Sequence, residues 1–163
     1  MSITKVKEYF KSFGIESKVI ELEQSSATVE LAAAAIGCEA ERIAKTLSFL
    51  VNGKGVLIVV AGDAKVDNRK YREEFREKAK MLPAEDVETI IGHAPGGVCP
   101  FGINEEVDVY LDISIKRFST VYPAAGSGNS AIELDITELE KYSNSKKWVD
   151  VCKGWIANQE KSE

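Results

Sequence analysis

Residues 92–102 hold four glycines and two prolines, in a chain with only twelve and four of these residues. Glycine permits a positive φ and lets a ligand approach the bare backbone, while each proline fixes its own φ and favours an extended residue before it. The composition predicts a rigid loop whose N–H groups bind a carbonyl oxygen, an oxyanion or a phosphate. The same residues are also typical of a tight connection between a helix and a strand.

Lys45 is the second candidate for chemistry, because it lies inside an apolar strand pattern at residues 43–51. An ordinary lysine pKa of about 10.4 keeps the ammonium charged unless it is strongly desolvated. We therefore expect Lys45 to hold a phosphate or a hydroxyl group rather than to act as a general base. In the alternative interpretation, Lys45 points to solvent from the polar face of a half-buried strand.

Other reactive residues allow sharper hypotheses that the sequence supports less well. Cys99 with His93 could form a nucleophilic pair, although His93 also suits a loop position bound to a carbonyl. Asp63 and Asp112 could be acid-base groups or structural aspartates at strand ends. The chain has one histidine, which makes a zinc site or a Ser-His-Asp triad improbable unless a partner contributes groups. Its three widely spaced cysteines fit neither a disulfide framework nor a CxxC metal site.

Length and composition indicate a single domain at residues 1–157, with a polar, frayed tail at 158–163. No apolar run approaches a membrane span or a signal peptide, so we expect a cytoplasmic protein. The net charge of −5 and pI near 5.1 argue against a large basic surface that wraps nucleic acid. The charge is still compatible with a local contact to one end of a nucleic acid. Residues 69–80 carry a local excess of basic side chains, which suits either a phosphate contact or a solvated helix.

Helices and strands can be predicted from periodicity and caps. The first half contains a helix at 3–13, a short strand at 18–22 and a helix at 29–36 between Thr28 and Gly37. A hairpin of strands 44–51 and 56–61 turns at Asn52 and Gly53.

The second half begins with two helices, at 67–80 after the N-cap Asp67 and at 84–91 after Pro83. Strands follow at 107–113, 119–122 and 131–136, with a second small-residue loop at 123–129. Thr137 and Glu140 predict a capping box for a last helix to about residue 142, and residues 147–152 an edge strand.

Four motifs resemble the YbaK/prolyl-tRNA-synthetase-associated editing domain family. In chain order they are Ala-Lys-Thr-Leu at 44–47, Val-Ala-Gly-Asp at 60–63, Gly-Gly-Val-Cys-Pro-Phe-Gly at 96–102, and Ala-Gly-Ser-Gly-Asn at 125–129 ahead of Glu133 and Leu134. Each motif is short, but their order and gaps are specific over about residues 17–142. The resemblance implies a single α+β domain with a mixed, strongly curved sheet surrounded by helices.

The resemblance also implies an aminoacyl-tRNA deacylase, which hydrolyses the ester between a wrong amino acid and the 3′-terminal ribose of a tRNA, commonly tRNA for proline. It places the functional lysine at Lys45 and the GxxxP substrate loop at residues 96–100. The loop at Gly96, Gly97 and Val98 then holds the ester carbonyl through its amides, and Lys45 holds the terminal phosphate or ribose. The other substrate-binding residues implied are Thr46, as a hydroxyl donor, Cys99, Pro100, Gly126, Ser127 and Asn129.

The implied partner is the 3′ acceptor end of an aminoacyl-tRNA, with a synthetase as a second candidate, and no cofactor, metal or membrane is implied. The family commonly has a small polar residue at the position of Cys99 and uses its backbone, which argues against a nucleophilic thiol.

The loop at 126–129 departs from the Gly-Lys-Arg-Gly-type sequence of the branch that clears cysteine, and Ala131 replaces an acidic residue of that branch. The prediction is therefore another small amino acid, in a pocket shaped by Ser127 and Asn129, although Asn129 also suits a left-handed turn. Two further functions stay open. One is a non-catalytic module that holds a tRNA 3′ end or a synthetase, and the other is a regulator that binds a phosphorylated metabolite.

Overall fold

The computed structural model describes residues 2–155, and its centre is the predicted hairpin. Strand β2 (Ile43–Val51) pairs antiparallel with β3 (Lys54–Ala61) in one continuous register. Asn52 and Gly53 both adopt a positive φ, 52° and 76°, as a two-residue hairpin turn requires. Every residue of β3 after Lys54 is buried, which confirms that its apolar run lies in the interior of the sheet.

Six strands form the main sheet in the order β8-β6-β2-β3-β5-β9. Strand β5 (Asp108–Asp112) runs parallel to β3, and β9 (Lys147–Val149) runs parallel to β5. On the other side, β6 (Thr120–Pro123) runs parallel to β2 over two residues only, and β8 (Leu134–Asp135) runs antiparallel to β6. The sheet is therefore mixed.

Two short ladders complete the strands. Strand β1 (Val19–Glu21) pairs antiparallel with β7 (Ser130–Ile132), and β4 (Lys65–Val66) pairs antiparallel with β10 (Cys152–Lys153). The first ladder fixes the loop that precedes β7, and the second covers the end of β3. The first ladder includes Ser130 and Ala131, which line the cleft described below.

Five helices occur within residues 2–155: α1 (Ser2–Lys11), α2 (Val29–Ile36), α3 (Asn68–Phe75), α4 (Ala84–Ile91) and α5 (Ile136–Ser143). The Thr28 side chain accepts from the Leu31 N–H at the start of α2, and Gly37 ends it in the left-handed conformation, as predicted. None of these helices is long and apolar enough to span a bilayer.

The curved sheet buries both of its faces. Alternate residues of β3 pack into two apolar clusters, one with α1, α4 and α5 and the other with α3 and the C-terminal strand β10. Phe10 of α1 packs against Phe101 at 4.8 Å between ring centroids, so the N-terminal helix holds the last part of the glycine-rich loop. The observed architecture confirms the predicted α+β domain with a strongly curved mixed sheet.

The predicted helix at 67–80 is too long, because α3 ends at Phe75. Arg76 adopts a left-handed conformation with φ 65°, which ends the helix. The chain then returns to the sheet: the Leu50 N–H donates to Lys80 O and the Leu82 N–H donates to Ser48 O. Pairing with β2 therefore overrides the helical pattern after residue 76.

The capping box predicted at Thr137 and Glu140 is wrong by two residues. Asp135 is the N-cap of α5, and its carboxylate accepts from the Glu138 N–H while the Glu138 side chain accepts from the Asp135 N–H. The box forms there because the chain leaves β8 at Asp135, so Thr137 already lies inside the helix.

Two strands predicted as continuous are each divided in two. Residues 131–136 form β7 and β8 with different partners, and residues 147–152 form β9 and the start of β10. The break in the second case lies at Asp150 and Val151, where the Val151 N–H donates to the buried Asp112. The predicted tail at 158–163 lies outside the described residues.

Candidate active site

A cleft of about 430 Å³ opens along β2. Its floor is the first part of β2, residues 43–48, and one wall is formed by residues 26–29 with Ala32 of α2. A further wall is apolar and contains Met81, Leu82 and Val87. The glycine-rich loop closes one end of the cleft with Pro95, Gly96 and Val98. The structure thus brings the two main sequence candidates, Lys45 and the glycine-rich loop, to a single concavity.

Lys45 lines this cleft and is half-buried. Burial lowers the pKa of its ammonium, while the carboxylates of Asp63 and Glu30 favour the charged form. Lys45 therefore does not extend freely into solvent, in contrast to the alternative interpretation of the sequence. A partly desolvated cation at the border of a cleft interacts with an anionic ligand more strongly than a fully hydrated one does.

The glycine-rich loop uses the conformational freedom of its glycines at the cleft. Gly96 has φ 91°, which an L side chain rarely adopts, and it lies at the surface of the cleft. The Gly97 N–H donates to Ala94 O at 3.1 Å, so it is already used in a turn. Among the described residues, the N–H groups of Gly96 and Val98 have no such partner. The amides that remain for a ligand are therefore those of Gly96 and Val98, and Gly97 is a positioning residue.

Gly97 has no room for a side chain. A Cβ there would lie 2.8 Å from the carbonyl carbon and oxygen of Gly126 and from the Cα of Ser127. The two small-residue loops of the sequence therefore pack backbone against backbone behind the cleft. This contact fixes the position of the Gly96 and Val98 amides relative to β2.

Cys99 joins the same two loops and does not line the cleft. Its side chain is fully buried close to the Gly126 backbone, and its Sγ lies 3.6 Å from both Phe101 O and His93 Nε2. Burial raises the pKa of the thiol to about 12. Although Sγ contacts His93, a thiol of this kind is protonated at neutral pH and lies outside the cleft lining, so this pair does not present a nucleophile to a ligand in the cleft.

His93 closes the base of the loop. Its Nε2 lies 2.6 Å from Phe101 O, and its fully buried ring leaves Nδ1 without a hydrogen-bond partner among the described residues. Because a carbonyl only accepts, Nε2 carries the proton of the neutral ring. Burial lowers the pKa of His93, which favours this neutral form. His93 has the loop role that the sequence favoured, while Pro100 is buried behind the cleft.

The second loop uses its polar side chains internally. Ser127 Oγ lies 2.9 Å from Asn129 Oδ1 and 2.8 Å from Ser130 Oγ, and the Asn129 amide donates to Leu22 O at 3.1 Å. Gly126, Ser127 and Asn129 are thus absent from the lining of the cleft, although Ser130 and Ala131 just after them do line it. The predicted substrate-binding residues of this loop position its backbone.

Asp63 and Asp112 have structural partners. Asp63 forms a nearly buried two-pronged ion pair with Arg117, with one N–O distance of 3.0 Å. Asp112 is fully buried and accepts from the N–H groups of Ser114 and Val151, both at 2.9 Å. Within residues 2–155, no three or more His, Cys, Asp or Glu side chains are grouped as metal ligands require.

The apolar wall is the part of the cleft that sequence reasoning missed. Met81 and Leu82 reach it because residues 80–82 pair with the far end of β2, and Met81 is 57% exposed there. Helix periodicity gave no sign of this pairing. The basic segment at 69–80 lies elsewhere, and its members Arg69 and Lys70 pair with Glu73 and Asp150.

Comparison with known proteins finds relatives over most of the chain. Residues 23–142 match the family model of the aminoacyl-tRNA editing domain. The chain is 54% identical over 156 residues to the "Uncharacterized protein YwhH" of Bacillus subtilis, covering 95% of this chain and 99% of that protein. It is 31% identical over 109 residues, 66% of each chain, to the "Putative Cys-tRNA(Pro)/Cys-tRNA(Cys) deacylase EbsC" of Enterococcus faecalis.

A solved structure extends the agreement to the fold. The "Crystal structure of a putative trans-editing enzyme for prolyl tRNA synthetase" superposes with a TM-score of 0.84 at 28% identity, covering 94% of this chain and 98% of that one. The chain thus shares the single α+β domain fold of that protein. The chain belongs to the aminoacyl-tRNA editing domain family.

Proposed function

We propose that this protein hydrolyses the ester that joins a small amino acid to the 3′-terminal ribose of a mischarged tRNA. The observation that carries the proposal is the convergence of half-buried Lys45 and the open Gly96 and Val98 amides on one cleft. Membership of the editing family and a relative named as a deacylase support the same reaction class. Since charged tRNAs are used in the cytoplasm, the proposal places the protein there.

The chemistry needs no side-chain nucleophile, because an aminoacyl ester is already activated. Water adds to the carbonyl carbon, and the Gly96 and Val98 amides stabilise the negative charge that develops on the carbonyl oxygen. The bond to the ribose 3′-oxygen then breaks, and that oxygen takes a proton, with the neighbouring ribose hydroxyl as a relay. Lys45 holds the terminal phosphate or ribose so that the ester lies against the loop.

The size of the cleft supports a small amino acid. Its 430 Å³ must hold the aminoacyl group together with part of the terminal nucleotide. Its floor beside Lys45 offers the small polar side chains of Thr46 and Ser48, and the apolar wall limits the size of the amino-acid side chain that fits. The relative named as a deacylase and the similar solved structure both concern tRNA for proline or its synthetase, which supports that tRNA as the carrier.

The test is release of labelled amino acid from tRNAs charged with alanine, serine, threonine, cysteine or proline. We expect turnover of one or two of the small amino acids, reduced by roughly 30- to 1,000-fold in Lys45→Ala because a buried charge contact is lost. Lys54→Ala is the matched control, since Lys54 lies at the other end of the hairpin and pairs with Asp108. Binding of charged tRNA without turnover would indicate a recognition module instead of an enzyme.

A further inference from the structure

Strand β2 is paired on both sides along most of its length. Towards β3 its register is unbroken. On the opposite side, residues 43–44 pair with β6, and further along the Leu82 N–H donates to Ser48 O (3.0 Å) and the Leu50 N–H donates to Lys80 O (2.8 Å). Between these two paired stretches the outer side of β2 faces the cleft.

Thr46 is the residue that this gap leaves open. In an antiparallel strand, successive residues direct their N–H and C=O groups to alternate sides. Ser48 and Leu50 direct theirs away from β3, so Thr46 does the same. Within residues 2–155 no backbone group outside β3 bonds to Thr46. Its N–H and C=O therefore point together into the cleft without a partner.

The Thr46 side chain gives a second, independent sign of a binding site. Its Oγ1 is buried and has no hydrogen-bond partner among the described residues. Buried hydroxyl groups in native proteins are nearly always bonded, because leaving one unpaired is costly. Thr46 thus offers one donor and one acceptor from its backbone and a hydroxyl group, all at the floor of the cleft.

On the basis of the proposed function, we infer that Thr46 binds the aminoacyl group of the substrate as if it were one residue of an added β-strand. The Thr46 N–H donates to the ester carbonyl oxygen, and the Thr46 C=O accepts from the α-ammonium group. An α-amino acid carries its donor and its acceptor at the spacing that a facing strand residue has. The site therefore recognises an α-amino acid ester as a class.

The glycine-rich loop fits this arrangement. A carbonyl oxygen has two lone pairs, so it accepts one bond from Thr46 and one from the Gly96 or Val98 amide. Two donors, one from the floor and one from the end of the cleft, then bind the oxygen on which charge develops. The Thr46 hydroxyl, on the same floor, completes the shell around the aminoacyl group.

The first experiment compares L-alanyl, propionyl and β-alanyl esters on one tRNA, each rate being divided by the rate of spontaneous hydrolysis. Propionyl lacks the amino group, and β-alanyl places it one carbon further from the carbonyl. We expect kcat/KM to fall by about 10- to 100-fold for both, because each loses a charge-assisted hydrogen bond. Equal corrected rates for alanyl and propionyl would overturn the inference and leave the proposed deacylase intact.

A binding measurement separates the inference from the proposed function. Amide analogues, in which alanine or propionate is joined to a 3′-amino-terminated tRNA acceptor stem, are not hydrolysed. We expect the propionyl analogue to bind about 10- to 100-fold more weakly than the alanyl analogue. A difference in affinity without any ester turnover would support the Thr46 site and refute the enzyme, and equal affinities would refute the Thr46 site.

Two substitutions of Thr46 separate the contribution of its backbone N–H from that of its hydroxyl group. Thr46→Pro removes an N–H that faces away from β3 into the unpaired gap, so although β2 is an inner strand the substitution removes no hydrogen bond of the sheet. It should reduce kcat by about 100-fold, the effect of losing one oxyanion donor. Thr46→Val keeps the N–H and should retain more activity than Thr46→Pro. Thr89→Val, at an exposed site on α4, is the control for loss of a threonine hydroxyl. If Thr46→Pro retained full kcat with the native preference for alanyl over propionyl, the inference would be wrong.

Discussion

Gly97→Ala tests whether the contact between the two loops holds the ligand-binding amides in place. The added Cβ would lie 2.8 Å from three backbone atoms of Gly126 and Ser127, about 0.6 Å closer than the 3.4 Å at which ordinary contact begins. Backbone atoms cannot rotate away as a flexible side chain does, so one of the loops must move by a similar distance. The adjacent Gly96 and Val98 amides move with it.

A displacement of this size is large for catalysis and moderate for stability. Loss of one oxyanion donor lowers kcat by about 10²- to 10³-fold, and we expect Gly97→Ala to approach the lower figure. Overpacking of a well-packed site costs about 1–3 kcal/mol of unfolding free energy. Because the Gly97 N–H itself is bound to Ala94, the loss would come from geometry and not from a missing donor.

The assay measures kcat and KM for the best ester of the tRNA panel, together with thermal unfolding, for the native protein, Gly97→Ala and Gly128→Ala. Gly128 lies in the facing loop, and a Cβ there would meet Ala27 at an ordinary 3.7 Å. It should therefore keep native kcat. If Gly97→Ala also turned over at the native rate, the loops would not position the amides and the argument would be refuted.

Two further predictions concern the buried residues behind the loop. Cys99→Ala should keep kcat within about threefold of native, because the thiol pKa of about 12 leaves no thiolate at neutral pH; loss of turnover with intact tRNA binding would restore the nucleophile hypothesis. His93 predicts a pH effect on stability: its pKa is lowered on folding, so below about pH 6.5 the unfolded chain binds a proton that the folded chain does not, and unfolding free energy falls by up to about 1.4 kcal/mol per pH unit. Because His93 is the single histidine of the chain, the unfolding free energy measured by urea titration should depend less steeply on pH between pH 5 and 7 in His93→Gln than in the native protein. An equal pH dependence in the two proteins would contradict this burial effect.

The sequence predicted those elements whose signals are local. The turn at Asn52 and Gly53, the N-cap Thr28 and the apolar β3 each follow from a few neighbouring residues, and the structure confirms all three. The early end of α3 depended on residues 80–82 pairing with β2, a contact between distant parts of the chain. Hydrophobic periodicity reports local structure, so it does not reveal that pairing with a distant strand competes with the helix.

The candidate site divides in the same way. The glycine-rich loop and Lys45 could be selected by composition and pattern, and both reach the cleft. Which loop amide is free could not be predicted, since it depends on the turn that occupies the Gly97 N–H. Motif matching also selected Ser127 and Asn129, whose side chains the fold uses to hold their own loop.

The interrupted pairing of β2 also bears on association with other chains. An open strand edge is a template for pairing with another chain, and exposed edges promote aggregation. Here the outer side of β2 is paired with β6 before Thr46 and with residues 80–82 after it, so a second strand could not form the several consecutive bonds that it needs. The unpaired stretch at Thr46 suits one amino acid and is too short for a second strand. The open backbone groups of Thr46 are therefore kept available without the usual risk of edge-to-edge association.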